Sequence, residues 1–285
     1  MPVNFVAKLS RWYVANARDL PWRHSGAWSV VVSEFMLQQT PVSRVLPVYK
    51  TWMKRWPLPS ALAVEPVSEA VREWGRLGYP RRAQRLHQTA IVIDRDFNDQ
   101  VPSSEAELRK LPGVGEYTAA AIMSFAFGKR AMVLDTNIRR VIARSQLGEQ
   151  WPAVSITNRE RDVALLLLPT EDTAASEYNA AIMELGALIC TAARPACHAC
   201  PVADECAWLQ SGSPQSPRPH RTQTWHGTDR QCRGAILQML RDNESVDNKQ
   251  LASVWQDKDQ FEKCRDSLQA EKFITRTKNR WHLAH

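Results

Sequence analysis

The sequence predicts a mainly α-helical protein with a small module at its C-terminal end. Three observations carry this. Over residues 1 to about 210, Ala, Leu, Arg and Glu are common and β-branched alternation is sparse. The stretch SGSPQSPRPHR, residues 211–221, has the Pro/Ser composition of an extended connection, so a linker is expected over 211–227. Residues 228–285 then show three helical patterns (229–241, 247–255, 259–271) and one hairpin pattern, 273–277 and 280–283 with Lys278-Asn279 at the turn. Three helices and a terminal hairpin have the plan of a winged helix.

Along the first region, Val3 to Ala15 reads as an amphipathic helix. After the turn-like Arg23-His24-Ser25-Gly26, residues 27–39 form a helix that is apolar nearly all round (Trp28, Val30, Val31, Val32, Phe35, Met36, Leu37), hence central and buried. Further helices are expected near 43–55, 67–75, 81–95, 104–110, 116–127, 137–146, 158–167 and 175–189. No internal repeat is present.

Composition narrows the function. With 44% hydrophobic and 24% charged residues among 285, the chain can bury a sizeable core and is not disordered. The longest strongly apolar run, Val163 to Leu168, is far short of the roughly 20 residues of a membrane span. Lys8, Arg11, Arg18 and Arg23 interrupt the N-terminal stretch, so it does not read as a signal peptide. A cytoplasmic protein is expected. The net charge of +7 divides into +3 over 1–217 and +4 over 218–285, which is compatible with a polyanion but does not identify one.

Disulfides are rare in the cytosol, so the six cysteines need another explanation. Cys232 and Cys264 lie apart and read as small apolar residues. Cys190, Cys197, Cys200 and Cys206 form C-x6-C-x2-C-x5-C, four thiols within 17 residues that can wrap one metal centre. The spacing alone leaves iron–sulfur and zinc both open.

Three further places carry chemistry. Leu111-Pro112-Gly113-Val114-Gly115 lies between two helical patterns. Its glycines permit a tight turn, and its N–H groups precede a helix N-terminus, a good seat for one DNA phosphate. Glu34 stands on the apolar helix, where burial would raise its pKa and make it a general acid, unless a buried arginine pairs with it. Asp135, in AMVLDTNIRRVIAR, precedes a helix. It serves as an N-cap whatever else it does, and the helix dipole favours its ionised form. An ionised Asp and a protonated Glu suit cleavage through an oxocarbenium-like transition state.

SEFMLQQTPV, WGRLGYPRRAQRLH, LPGVGEYTAAAI, VLDTNIRRVIAR and MELGALIC followed by the other three cysteines occur in this order over residues 10–207. Together they resemble the adenine DNA glycosylase (MutY) family of the helix-hairpin-helix DNA glycosylase superfamily. The resemblance implies a two-lobed helix-hairpin-helix glycosylase over 1–210, with a 4Fe–4S cluster held by Cys190, Cys197, Cys200 and Cys206 in a loop that shapes a basic surface around Arg194. It implies that Glu34 protonates the departing adenine and that Asp135 stabilises the sugar cation or bonds to it. Tyr117 would help position that carboxylate, and Asn137 would hold water or Glu34. Arg18, Trp22 and Arg23 would line the adenine pocket. Gln39, Thr40, Leu77 and Tyr79 would probe the opposing strand, with Tyr79 as the wedge, and Gly113, Val114 and Gly115 would grip the backbone. The partner implied is duplex DNA with adenine opposite 8-oxoguanine or guanine.

The chain departs from the family pattern in three places. Pro80 replaces the second tyrosine of LGYY, and Thr136 replaces the glycine of LDGN. Residues 222–285 are too few for the Nudix-like domain that usually reads 8-oxoguanine. Tyr117 stands where bifunctional endonuclease III relatives carry a Schiff-base lysine, which implies base excision without strand cleavage. The alternatives are a mismatch thymine glycosylase, an endonuclease III-like lyase and a non-catalytic DNA-binding module.

Overall fold

The computed structural model describes residues 2–217 and 225–284. In chain order its helices are α1 (Pro2–Asn16), α2 (Gly26–Leu37), α3 (Val42–Arg55), α4 (Pro59–Ala63), α5 (Val67–Glu73), α6 (Arg81–Phe97), α7 (Glu105–Leu108) and α8 (Glu116–Phe127). There follow α9 (Thr136–Ser145), α10 (Asn158–Leu167), α11 (Asp172–Leu188) and α12 (Ala207–Gln210). The C-terminal module adds α13 (Asp229–Asp242), β1 (Val246–Asp247), α14 (Asn248–Ala252), α15 (Lys258–Ala270), β2 (Ile274–Thr277) and β3 (Arg280–Leu283). Among the described residues no helix is long and apolar enough to cross a membrane.

The chain forms two compact units. The first takes the described residues of Met1–Val30, Ser103–Lys110 and Val114–Arg221. Its core is one cluster in which Phe5 and Leu9 of α1 meet Ala121 of α8, Ile138, Val141 and Ile142 of α9, and Tyr178, Ile182 and Leu185 of α11. Phe5 and Leu9 are four apart, so both face one side of α1. The helix starts are set by local chemistry. Gly115 caps α8 without a side chain, Asp135 caps α9 through its carboxylate, and Thr157 with Glu160 makes a capping box on α10.

The second unit takes Val31–Pro102, Leu111–Gly113 and the described residues of Thr222–His285. Trp52 is its aromatic centre, packed edge-on against Trp56 at 4.7 Å and Trp74 at 5.5 Å. The C-terminal module has the expected three helices and hairpin. It also has β1, too short to show a period, which completes an antiparallel sheet of order β1–β3–β2 with Val246 opposite Trp281 and Ile274 opposite Leu283.

The module belongs to this unit by specific bonds. Arg72 donates to the carbonyls of Leu240 (3.2 Å) and Arg241 (2.5 Å), and Arg241 donates back to the Val71 carbonyl at 2.9 Å. Glu271 accepts from both Arg81 and Arg233. Burial pulls the Arg241 pKa down to about 10, as expected of a guanidinium enclosed by protein. Of the linker expected at 211–227, residues 218–224 lie outside the described residues. Its first part is tied to the first unit, where the Ser216 N–H donates to Gln150 and Trp151 donates to the Ser216 carbonyl.

Candidate active site

Asp135 is fixed by the start of α9. Its carboxylate accepts from the Ile138 N–H at 2.6 Å and from the Asn137 amide at 2.8 Å. Asn137 in turn accepts from Arg140 at 2.8 Å, and Arg140 donates to the carbonyls of Gly186 (2.6 Å) and Cys190 (2.7 Å). A continuous set of hydrogen bonds thus runs from the carboxylate to the first cysteine of the four. Gly186 allows this close approach, because a Cβ there would lie 2.8 Å from the Asn137 Cβ. A carboxylate at a helix N-terminus is expected to ionise easily. Instead, burial pushes its pKa up, and the bonds from Ile138 and Asn137 and the Arg140 charge offset this only in part. Tyr117, on the first turn of α8, is half-buried and packs against the core that holds α9.

Arg18, Trp22 and Arg23 lie in the same unit, and a residue absent from the sequence expectations organises them. Glu184 of α11 is 1% exposed. It accepts from the Arg18 Nε at 2.7 Å, from Arg18 Nη2 at 2.8 Å and from the Arg18 backbone N–H at 2.9 Å. Arg23 donates to it at 2.9 Å and to the Arg18 carbonyl at 2.6 Å. Burial alone would raise the Glu184 pKa, but its bonds to Arg18 and the nearby Arg23 charge hold it below the usual carboxylate range. Trp22 is buried between the two arginines in sequence, on a single 3-10 turn begun by Pro21. A lone Glu within the small and apolar NAAIMELGAL was the available signal, since a buried carboxylate requires a cation.

In the second unit, Glu34 is 6% exposed on α2, with Phe35 and Met36 beside it in the core. The two candidate acids therefore come from different units. The Gln39–Thr40 and Leu77–Tyr79 loops are joined by Arg82. This buried guanidinium donates to the carbonyls of Phe35, Met36 and Gln38 at 2.6–2.9 Å, closing the C-terminal end of α2. Its other arm reaches Thr40 Oγ1 at 3.0 Å and the carbonyls of Leu77 and Gly78 at 3.3 and 3.1 Å. Gln39 and Tyr79 are exposed and both have left-handed backbones, φ 53° and 49°. Leu77 and Thr40 are buried, so Tyr79 and Gln39 are the side chains these loops present.

The glycine-rich turn has the expected character. Gly113 has φ 83°, and a Cβ on it would come within 3.0 Å of Arg85 and Phe35. Thr89 anchors the turn by donating to the Pro112 carbonyl at 2.7 Å. Val114 is buried, while Gly113 and Gly115 are exposed.

Cys190, Cys197, Cys200 and Cys206 all have free thiols. Among the described residues, no three His, Cys, Asp or Glu side chains close on a single metal ion. The four thiols do lie within electrostatic reach of one another. Burial pushes Cys200 up to about 11, and Cys190, Cys206 and Cys197 add to this. Arg144, 2% exposed, donates to the Cys190 sulfur at 3.4 Å and to the Thr191 and Ala192 carbonyls. Its guanidinium also lies over the rings of Trp151 and Trp208, at 5.5 and 5.1 Å. A buried cation bonded to a sulfur and to carbonyls suits a group carrying several thiolates, so these residues fit an anionic iron–sulfur cluster. Arg194 is exposed at the edge of this loop.

The succession of α7, glycine turn, α8 and Asp-capped α9 is the arrangement of DNA glycosylases built on a helix-hairpin-helix. Residues 32–165 match the HhH-GPD superfamily of base excision DNA repair proteins. The solved structure of a thermostable thymine-DNA glycosylase superposes with a TM-score of 0.65 at 27% identity, over 74% of this chain and 97% of that one. The adenine DNA glycosylase of Mycobacterium tuberculosis is 47% identical over 274 residues, 94% of this chain and 90% of the relative. The human adenine DNA glycosylase is 37% identical over 213 residues, 71% of this chain and 39% of its own length. The chain belongs to the adenine DNA glycosylase family, and its substrate is DNA. The mycobacterial match is too long to leave out the C-terminal module, so the short module is shared with that relative.

Proposed function

We propose that this protein removes adenine placed opposite 8-oxoguanine or guanine in duplex DNA, hydrolysing the N-glycosidic bond and leaving an abasic site. The observation that carries this reading is Asp135, a carboxylate fixed by the α9 N-terminus and Asn137, in a family whose relatives are adenine glycosylases. Glu34, buried on an apolar helix, is the acid that delivers a proton to adenine N7. As the bond to the sugar lengthens, the ionised Asp135 stabilises the positive charge that develops there. Asn137 holds that carboxylate in place. Tyr117 offers no amine for a Schiff base, so the strand stays intact. The turn at Gly113–Gly115 and the exposed basic residues hold the phosphates, Tyr79 fills the stack where adenine leaves, and Arg18, Trp22 and Arg23 bound the adenine pocket. The protein acts as a monomer in the cytoplasm.

Cys190, Cys197, Cys200 and Cys206 would hold a 4Fe–4S cluster, which supplies structural support to the loop from 190 to 206. The purified protein is then brown and contains about four iron and four sulfide per chain, and Cys200→Ser bleaches it. A colourless protein with one zinc per chain overturns the cluster.

The reading is tested by single-turnover base release from duplexes with A opposite 8-oxoguanine, A opposite G and T opposite G. Adenine release from the first two, without a borohydride-trapped adduct, is expected. Release of thymine alone would make it a mismatch thymine glycosylase. A trapped adduct would make it a lyase, and no release from any duplex would leave a binding module.

A further inference from the structure

The exposed Tyr79 ring does not stand alone. The Arg82 guanidinium lies 5.6 Å from its centroid and 5.2 Å from that of the buried Trp74. A second guanidinium, Arg230 of the C-terminal module, lies closer, at 4.3 Å from the Tyr79 ring and 5.2 Å from Trp225. Trp74, Arg82, Tyr79, Arg230 and Trp225 thus form one unbroken series of alternating rings and cations, all within the second unit. It begins in the aromatic core and ends at solvent, where Tyr79 is 41% and Trp225 46% exposed.

Two features make the outer half of this series unlike an ordinary surface contact. Tyr79 is bulky yet left-handed at φ 49°, a conformation that persists only where its surroundings hold it. Among the described residues Arg230 makes no ion pair with a carboxylate, although Asp229 is its neighbour and binds Lys263 instead. The Arg230 charge is therefore directed to rings rather than neutralised. The body of the module is fixed to the same unit by Arg72, Arg241 and Glu271, so Arg230 is presented from a rigid helix start.

We propose that Arg230 is a positioning residue for Tyr79, and that through it the C-terminal module takes part in opening the DNA stack. The inference rests on the reading of Tyr79 as the wedge. A guanidinium over the ring fixes the ring plane while leaving its edge free to enter the duplex. A single exposed cation–π contact is worth about 3- to 5-fold in an equilibrium, and more once DNA displaces water from it. The module needs no base-reading pocket of its own to act in this way.

The test uses the full-length protein and a duplex with 2-aminopurine at the target position opposite 8-oxoguanine, whose fluorescence reports unstacking, together with single-turnover adenine release. Arg230→Ala is expected to lower the unstacked fraction and the release rate by about 3- to 10-fold, with an unchanged melting temperature. Arg230→Lys restores part of the loss because it keeps the cation. In a Tyr79→Leu background, which keeps an apolar wedge without a π face, Arg230→Ala has no further effect. If Tyr79→Ala lowers unstacking but Arg230→Ala does not, the positioning role is wrong and the wedge stands. Should Tyr79→Ala change nothing, the wedge reading itself fails and the proposal with it. If Arg230→Ala acts equally in the Tyr79→Leu background and makes the salt dependence shallower, Arg230 holds a phosphate directly and the positioning role is overturned.

Discussion

Asp135→Asn is expected to slow adenine release by about 10³-fold, the scale seen when one group aimed at developing charge is removed. The substitution keeps the side chain's shape and its cap on α9, since the remaining oxygen still accepts from Ile138. It removes the negative charge that faces the sugar cation, and places an amide against the Asn137 amide that now donates to Asp135. The pH behaviour follows from the direction of the Asp135 shift. Its folded pKa lies above the ordinary 3.8 because of burial. The active carboxylate is therefore lost at a higher pH than for an exposed Asp, and the acid limb of the rate profile moves upward. Stability responds in the opposite sense. Above the folded pKa the ionised carboxylate costs stability, and as pH falls through it the folded state takes up a proton and the cost is relieved. Melting curves taken downward from neutral pH should show wild type gaining on Asp135→Asn as the carboxylate takes up its proton. Release within tenfold of wild type would remove Asp135 from the catalytic role, and a pH-independent difference in melting would remove the burial argument.

Helix periods and motifs carried much of this molecule. α1, α8 and α9 lie within one or two residues of their expected spans, because their faces are amphipathic or their starts carry Gly115 and Asp135. α4 and β1, five and two residues long, are too short for any period to register. α11 begins earlier than expected because Glu171 caps it, accepting from Thr173 and Ala174. The less legible part is what the arginines do. Arg139, Arg140 and Arg144 stand close together in NIRRVIAR, yet Arg140 and Arg144 are buried and Arg139 is bound to Glu160. They bond loop carbonyls and a sulfur up to fifty residues away, and no local pattern encodes such partners. Arg82 is similar, spending its donors on carbonyls of the α2 end and the Leu77–Gly78 loop. The net charge of the catalytic region is thus a poor measure of its DNA-facing charge, because several cations are structural.

Glu184→Ala should strongly destabilise the first unit, costing about 3–5 kcal/mol as expected when one member of a buried ion pair is removed. Both Arg18 and Arg23 lose their carboxylate, and the Arg18 backbone N–H loses its acceptor. The arginines retain some solvent, with side chains 32% and 22% exposed, so the lower part of that range is favoured. The urea midpoint should fall by about 1–2 M. Glu184→Gln keeps one acceptor for Arg18 and should fall between the two. Because Arg18 and Arg23 hold the Glu184 pKa below its usual value, the stabilisation is present above the unfolded pKa near 4.5 and disappears as pH falls through the folded one. The difference between wild type and Glu184→Gln therefore narrows in acid. The same change should reach the proposed adenine pocket, since Arg23 is also held over the Tyr13 ring at 5.5 Å and flanks Trp22. Weaker binding of the mispaired duplex should accompany the lost stability at low temperature, where the variant is still folded. If Glu184→Ala costs less than about 1 kcal/mol, or if its effect adds fully to that of Arg18→Ala, the two arginines are not held through Glu184 and the pocket must be organised by other contacts.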